Sequence, residues 1–368
     1  MSATRKILIA LVAAIVFDLL VFRSGWYASI TTTESMQGFS LAVLNALKKR
    51  PPGPETDVLI TGDSRASEGF SADVGNQIAK SQHLDLINAA VPGSDLRDWY
   101  YFLQAVDPHC DRYRAIVLTL PTFRAAPPVV ARMDQVYHAA FLVPLVSAPS
   151  YVDFAMTQRD WRSRFDVLAQ WVFDPLSYQA DFSNLLSGPL ARKSNYHWKQ
   201  KVGIHFGDGY TGHTGSMTGL AIDPATGAIT YPTWLNDTQR QEIDADFKRP
   251  YTNLRFDADE WNSRWLTRIE DRYAGSKTRV YVLRLPSTPL PAAIHDNSYE
   301  LAAFFQQNGR PDNVRVIPEP LLLNLEQPQF FFDNRHLNAV GRLKMTQQLT
   351  DYLASDLAQS GSKVASGN

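Results

Sequence analysis

The sequence predicts an α/β fold built on a central parallel sheet of about five strands, and three observations predict it. Short continuous apolar runs rich in β-formers recur along the chain, each ends in a turn signal, and a helical pattern follows most of them. Strands that are apolar throughout, rather than alternating, are those buried on both faces by helices. The 368 residues, 45% hydrophobic and only 20% charged, supply a core of that size and exclude disorder or a small disulfide-stapled fold.

Taken in order, residues 57–61 form the first strand, which ends in Gly62-Asp63-Ser64-Arg65 before a helix over 72–82. Residues 84–88 are the second strand, followed by Pro92-Gly93-Ser94 and an aromatic-rich helix over 96–105. The third strand, 115–120, stops at Pro121. Residues 278–285 and 314–317 read as the fourth and fifth strands, with a helix near 299–307 between them and a last helix over 339–357. No internal repeat is found.

Residues 125–277, between strands three and four, are too many for an ordinary connection and read as an insertion with structure of its own. It holds six of the eight Trp residues, Trp161, Trp171, Trp198, Trp234, Trp261 and Trp265, and a glycine-rich stretch over 203–219. Helices flanking an irregular loop, with a hairpin over 222–230, are expected there, either as a cap whose aromatics stack on sugar rings or as a small aromatic core.

At the front, Arg5 and Lys6 precede an apolar run over 7–22 that contains Asp18 and is closed by Arg23. A bilayer-spanning helix needs about 20 residues, so this run is slightly short unless Gly25, Trp26 and Tyr27 carry it into the interface. A cleaved secretory signal is the alternative, but no small-residue cleavage site follows Phe22. The expectation is an uncleaved single-pass anchor, residues 1–30, with the N-terminus in the cytoplasm and the rest outside. Asp18 either snorkels or faces a partner helix. Residues 31–54 read as a linker ending in a basic, Pro-rich stretch. Residues 55–358 are the α/β domain, and 359–368 a flexible tail.

The 36 basic and 37 acidic residues give a net charge of −1 and no electrostatic reason to expect a nucleic-acid partner. A single cysteine, Cys110, excludes an internal disulfide and a cysteine-based zinc site. His109 beside it reads as a loop residue, because sequence neighbours do not face one another as a catalytic dyad. His205, Asp208 and His213 lack a metal-ligand spacing and read as solvated loop residues. The stretch over 203–219 has no Gly-Lys-Ser/Thr ending and is not a phosphate loop. No metal and no cofactor is expected. The basic run at Lys48–Arg50 either attracts anionic headgroups or flanks the linker.

The chemistry is expected at the carboxyl ends of the strands, where open parallel sheets place their ligands. Ser64 stands on a turn directly after the first strand. Far downstream, Asp333-Asn-Arg-His336 puts a carboxylate three residues before an imidazole. A serine hydroxyl is inert at neutral pH until a base takes its proton, and a carboxylate that fixes the tautomer improves that base. Ser64, His336 and Asp333 are the candidate triad.

These blocks, in this order, resemble the SGNH (GDSL-type) hydrolase superfamily. Gly62-Asp63-Ser64 is similar to its first block, Asn88 to Gly93 to its second, and Asp333 to His336, followed by Leu337, Asn338 and Gly341, to its last. The resemblance covers 55–124 and 278–358 and implies a flavodoxin-like, three-layer α/β/α fold. It implies Ser64 as nucleophile, His336 as base and Asp333 as its orienting acid. The Ser64 and Gly93 N–H groups would act as oxyanion donors, and Asn88 belongs to the same oxyanion or substrate-binding set. One departure stands out: Pro121-Thr-Phe-Arg124 replaces the family's Gly-x-Asn-Asp block, and with it a side-chain oxyanion donor whose loss is worth about 2.7–4 kcal/mol. Arg65 and Arg124 are the candidate replacements, either for the oxyanion or for an anionic group on the substrate.

The missing block, the anchor and the insertion together resemble the membrane-anchored SGNH-like proteins of bacterial envelopes, which assist teichoic acid D-alanylation and the O-acetylation of alginate and cellulose. That resemblance implies a polysaccharide or teichoic-acid-like acceptor, an inner-membrane location with a periplasmic catalytic domain, and a multispanning membrane O-acyltransferase as partner. Two function classes follow. One is an esterase or acyltransferase working on acyl esters, O-acetyl in particular, through acyl-Ser64. The other is a glycan-binding or scaffold protein on the same frame without turnover.

Overall fold

The computed structural model describes residues 2–31, 35–120, 142, 148–158, 160–188, 211–223, 225–248, 255–288 and 309–365. The chain divides into two compact units. The first comprises Met1–Pro51, Arg97–Pro108 and Pro127–Ile204, and the second Pro52–Leu96, His109–Ala126 and His205–Asn368. Residues 125–277, read from the sequence as an insertion with structure of its own, are therefore shared between them.

The second unit contains the sheet. Among the described residues, seven strands follow in chain order: β1 (Gly53–Thr61), β2 (Asp85–Asn88), β3 (Tyr113–Leu120), β4 (Ala221–Ile222), β5 (Ile229–Thr230), β6 (Arg279–Arg284) and β7 (Val314–Val316). Five of them form one sheet in the order β2-β1-β3-β6-β7, every pairing parallel. The remaining two make a small antiparallel hairpin at the position expected from the sequence. Each sheet strand matches an apolar run, though β1 begins at Gly53, so the last residues of the expected linker already belong to the sheet.

The strands are buried on both faces, as a three-layer α/β/α arrangement requires. Val58, Ile60, Ala115, Val117, Tyr281 and Leu283 join one core cluster with Phe70, Leu86, Met345, Leu349 and Leu353. The residues between them, Leu59, Ile116, Leu118, Val280 and Val282, are equally buried. Two helices, Ala72–Ile78 and the closing Ala339–Ala365, pack together on the first face. A third, Arg255–Tyr273, meets β6 and buries Trp265, Leu266, Ile269 and Tyr273. Truncating a wholly buried Leu349 or Leu353 to Ala in such a core costs about 2–5 kcal/mol. The closing helix runs to Ala365, beyond the expected end at 357 and into the expected tail. The helix expected at 299–307 lies outside the described residues.

The first unit is helical. The apolar N-terminal run is not the single uninterrupted helix expected. An α-helix, Ala3–Phe17, passes into a π-helical segment, Asp18–Arg23, and a short helix, Trp26–Ile30, follows Gly25 in the left-handed conformation at φ 81°. Among the described residues, no helix is long and apolar enough to cross a membrane. The π-turn has a local cause. Residues five apart diverge on an α-helix but line up on a π-turn, and here Arg23 Nε donates to Asp18 Oδ2 at 2.7 Å. Asp18, expected to snorkel or to face another helix, is thus buried against a cation of its own segment. The unit continues with the helices Met36–Lys49, Leu96–Val106, Ala148–Met156, Trp161–Val172 and Gln179–Ser187. Phe22, Tyr27 and Tyr178 form its small aromatic cluster, and Tyr27 donates its hydroxyl proton to Asp181.

Candidate active site

The carboxyl end of β1 is shaped by Gly62. Its φ is 137°, and a Cβ there would stand 1.8 Å from the Thr119 hydroxyl, so only glycine fits between β1 and β3. The Gly62 carbonyl accepts from the Val91 N–H at 2.8 Å and the Ser94 hydroxyl at 2.9 Å, which ties the turn after β1 to the turn after β2. Because β2 lies on one side of β1 and β3 on the other, with the later strands beyond, this is the point where the strand order reverses. A crevice opens there in sheets of this kind.

Ser64 is the first residue of a short helix, Ser64–Gly69, capped by Asp63, whose carboxylate accepts from the Arg65 N–H at 2.9 Å. Asn88, at the end of β2, is buried. Its carboxamide donates to the carbonyls of Ala66, Ser67 and Phe70, the last at 2.8 Å. That differs from the expected oxyanion or substrate role: both amide protons are spent on the far end of the helix that begins at Ser64. Arg342, also buried, grips the same end through the carbonyls of Ser67 and Glu68. Ser64 is therefore held by its helix from both ends.

His336 arrives from the other end of the chain on a tight loop. Phe331 and Leu337 form an isolated antiparallel bridge, Phe332 N–H donates to His336 O at 3.1 Å, and Asn338 N–H donates to Phe330 O at 2.8 Å. Asn338 then caps the closing helix by accepting from the Gly341 N–H at 3.0 Å. A Cβ at Gly341 would meet Phe330 O at 2.4 Å, so the glycine allows the helix to start against the loop. From below, Thr288 donates its hydroxyl to Asn334 O at 3.1 Å, and Arg284, at the end of β6, pairs with Glu326 at 2.8 Å.

The convergence expected from the sequence is present. Ser64 Oγ lies 2.7 Å from His336 Nε2, and His336 Nδ1 lies 2.7 Å from Asp333 Oδ2. Asp333 Oδ1 accepts the backbone N–H groups of Arg335 and His336, each at 2.7 Å. Burial pushes the Asp333 carboxyl up, but the hydrogen bond and charge of His336 and those two N–H groups outweigh it, so the group is held below the usual carboxylate range. An ionised carboxylate only accepts, so Nδ1 carries the proton and the free lone pair is on Nε2. The Ser64 hydroxyl donates to it. This is the tautomer a general base requires.

The remaining candidates separate. Arg65 turns back onto Asp63, its Nη2 at 2.7 Å and its Nε at 3.0 Å from Oδ2. Burial raises the Asp63 carboxyl, and the charge and hydrogen bonds of Arg65, with a smaller contribution from His336, bring it below its ordinary value. Gly93 is exposed beside these turns with φ 78°. Among the described residues neither the Gly93 N–H nor the Ser64 N–H has a hydrogen-bond acceptor. Arg124 lies outside the described residues, as do His205 and Asp208.

Sequence reasoning missed how the insertion returns to the loop that carries His336. His213 O accepts from Ala339 N–H at 2.7 Å, Gly215 O accepts from Asn338 at 2.9 Å, and Met217 N–H donates to Phe331 O at 2.8 Å. The His213 ring lies 3.9 Å from that of Phe332, which stacks on His336 with centroids 5.6 Å apart. His213 is exposed, as expected of a solvated loop residue, and its ring is one ring removed from that of His336. The signal in the sequence was the run of glycines. At Gly212, with φ 90°, a Cβ would come 3.1 Å from Ala339 Cα, so the stretch is glycine-rich where it passes the closing helix. Among the described residues, no group of three or more His, Cys, Asp or Glu side chains is placed to hold a metal ion.

No protein-family model and no curated protein matches the chain.

Proposed function

We propose that this protein is a serine-type acyl-transfer enzyme, an esterase or O-acyltransferase of SGNH character that works through an acyl-Ser64 intermediate. The observation that carries the proposal is the continuous Ser64–His336–Asp333 relay, with both links at 2.7 Å. Ser64 Oγ attacks the carbonyl carbon of an acyl ester while its proton passes to His336 Nε2, and Asp333 stabilises the imidazolium. The tetrahedral oxyanion is met by the Ser64 and Gly93 N–H groups. When it collapses, the bond to the leaving alkoxide breaks and His336 returns the proton to that oxygen. Water or a sugar hydroxyl then repeats the sequence in reverse and frees Ser64.

The substrate class rests on the family resemblance and on the N-terminal segment. Ile7, Leu8, Leu11, Val12, Ile15, Leu19 and Leu20 are all exposed, on every side of a helical run that continues from Ala3 through Arg23. Such a surface is unstable in water and suited to lipid. At about 1.5 Å per residue the run approaches the ~30 Å of a hydrocarbon layer. We read it as an inner-membrane anchor with the remaining chain outside. An extracytoplasmic acyl ester on an envelope or secreted polysaccharide, supplied by a multispanning membrane O-acyltransferase, is then the fitting substrate.

The second reading is a glycan-binding or scaffold protein without turnover. It is favoured by Pro121-Thr-Phe-Arg124 standing where the resembled family carries its third oxyanion donor. Detergent-solubilised full-length protein separates the two. Release of p-nitrophenol from a short-chain ester, and covalent labelling of Ser64 by a fluorophosphonate, are expected in the wild type and lost in Ser64→Ala. Neither signal in the wild type would move the assignment to the scaffold. An added oligosaccharide acceptor that gains acyl mass marks transfer rather than hydrolysis.

A further inference from the structure

The helix Trp161–Val172 leaves large apolar side chains on its outward face. Its inward face carries Ser163, Val167 and Gln170, all buried, two of them polar. Its outward face carries Trp161, Phe165 and Val172, with relative exposures of 70%, 64% and 64%. The positions i, i+4 and i+11 fall within about 40° of one another around an α-helix, so these side chains form one stripe. Arg162 and Arg164 flank it, and the Arg162 guanidinium lies over the Trp161 ring at 5.5 Å.

The stripe begins where the N-terminal run ends. Arg23, the residue that closes that run, donates through Nη2 to the carbonyls of Trp171 at 2.7 Å and Val172 at 2.9 Å. A cation is thereby placed on the last turn of the helix, where the macrodipole favours it. Beside this contact Leu176 is also exposed, and Tyr27 and Phe22 lock the same segment onto Tyr178 and Asp181. All of these residues belong to the first unit.

We propose that the outer face of Trp161–Val172 lies in the headgroup region of the bilayer as a second, interfacial contact beside the anchor. An amphipathic helix with Trp and Phe on one face and Arg at its flanks has the chemistry of a phospholipid interface, the arginines meeting anionic headgroups. The inference rests on the anchor reading, because the Arg23 contact sets this helix at the point where the N-terminal run leaves the membrane. It holds the first unit at the surface by two attachments rather than one.

The test uses the full-length chain reconstituted alone into phosphatidylethanolamine–phosphatidylglycerol vesicles. Cysteine is introduced as Phe165→Cys, separately as Trp161→Cys, and as Lys80→Cys for an exposed control on the other unit, and each is labelled with an environment-sensitive fluorophore. The wild type, whose Cys110 is buried, serves as the blank. The two stripe labels are expected to show a several-fold loss of quenching by aqueous iodide relative to Lys80→Cys, and quenching by lipids brominated high in the acyl chain. Iodide quenching equal to that of Lys80→Cys overturns the proposal. Protection from iodide without quenching by the brominated lipids also overturns it, since a second copy of the protein then covers the stripe. Extraction with alkaline carbonate tests the anchor by itself. A chain that stays in the vesicles while its stripe labels remain wet retains the anchor and loses only the interfacial helix.

Discussion

The Asn88 carboxamide donates to the carbonyl of Phe70 at 2.8 Å, at the far end of the short helix whose first residue is Ser64. The end of β2 therefore fixes the direction in which the Ser64 helix leaves the end of β1. Asn88→Ala leaves the carbonyls of Ala66, Ser67 and Phe70 without this donor in a buried place, a loss on the order of 1–3 kcal/mol. Thermal unfolding is expected at lower temperature and Ser64 labelling to slow, while KM stays near its wild-type value because the Asn88 amide protons are given to main-chain carbonyls. A large rise in KM with no change in stability would restore Asn88 to the substrate site.

Asp333 acts by fixing which ring nitrogen of His336 carries the proton. Asp333→Asn keeps the shape but presents an amide that also satisfies the opposite tautomer. The lone pair then leaves Nε2, and kcat is expected to fall by on the order of 10³–10⁴. Fluorophosphonate labelling of Ser64 should slow in step while the circular dichroism spectrum stays unchanged. Labelling at the wild-type rate would show that His336 is not the base that Ser64 uses.

The five strands and the triad were legible in the sequence because both are written in local patterns. An apolar run bounded by turn residues states a buried strand, and Gly-Asp-Ser or Asp-x-x-His states a turn with one chemical group aimed outward. What was not legible rests on side-chain direction or on backbone meeting backbone. Arg65 follows the nucleophile in sequence, yet its guanidinium returns to Asp63, a choice between rotamers that neighbouring letters do not record. Asn88 lies in the motif that carries the resemblance, and only its three carbonyl partners reveal that it supports a helix. The return of 212–217 to the loop that carries His336 is made through main-chain groups of His213, Gly215 and Met217, and the run of glycines signals a close approach without naming its partner. The pairing of Asp18 with Arg23 depends on a π-turn, whereas apolar periodicity assumes an α-helix throughout.

The Asp63–Arg65 pair predicts an acid-stability profile. Asp63 is held below its ordinary value, so the native state binds fewer protons there than the unfolded chain, and stability rises with pH through the carboxylate range. The contribution is complete above the unfolded value near 4 and is lost as pH falls through the folded one. Arg65→Gln removes the cation while the burial that raises the carboxyl persists. The sign then reverses, and this group favours the native state only while it is protonated. Thermal melts from pH 3 to 7 should show a wild-type advantage that grows with pH. At neutral pH it should lie between the ~1 kcal/mol of an exposed pair and the ~3–5 kcal/mol of a buried one. Parallel curves for the two proteins would remove Arg65 as the cause.

Gly62 predicts a double-mutant result. The position asks for two things at once: a φ of 137°, which L-residues rarely adopt, and room for the Thr119 hydroxyl 1.8 Å from where a Cβ would stand. Gly62→Ala violates both and is expected to displace the turn that presents Ser64, lowering soluble yield and abolishing fluorophosphonate labelling. Thr119→Ala alone removes the hydroxyl that donates to Thr61 O at 2.7 Å, a change on the order of 1 kcal/mol, and should keep activity. Combined, the two substitutions relieve the clash but not the backbone strain, so the double variant should recover part of the stability lost in Gly62→Ala and fall short of Thr119→Ala alone. The coupling is read by denaturant unfolding of all four proteins. Strict additivity would mean that Thr119 does not set the space at Gly62, and full recovery would mean that the left-handed backbone imposes no cost there.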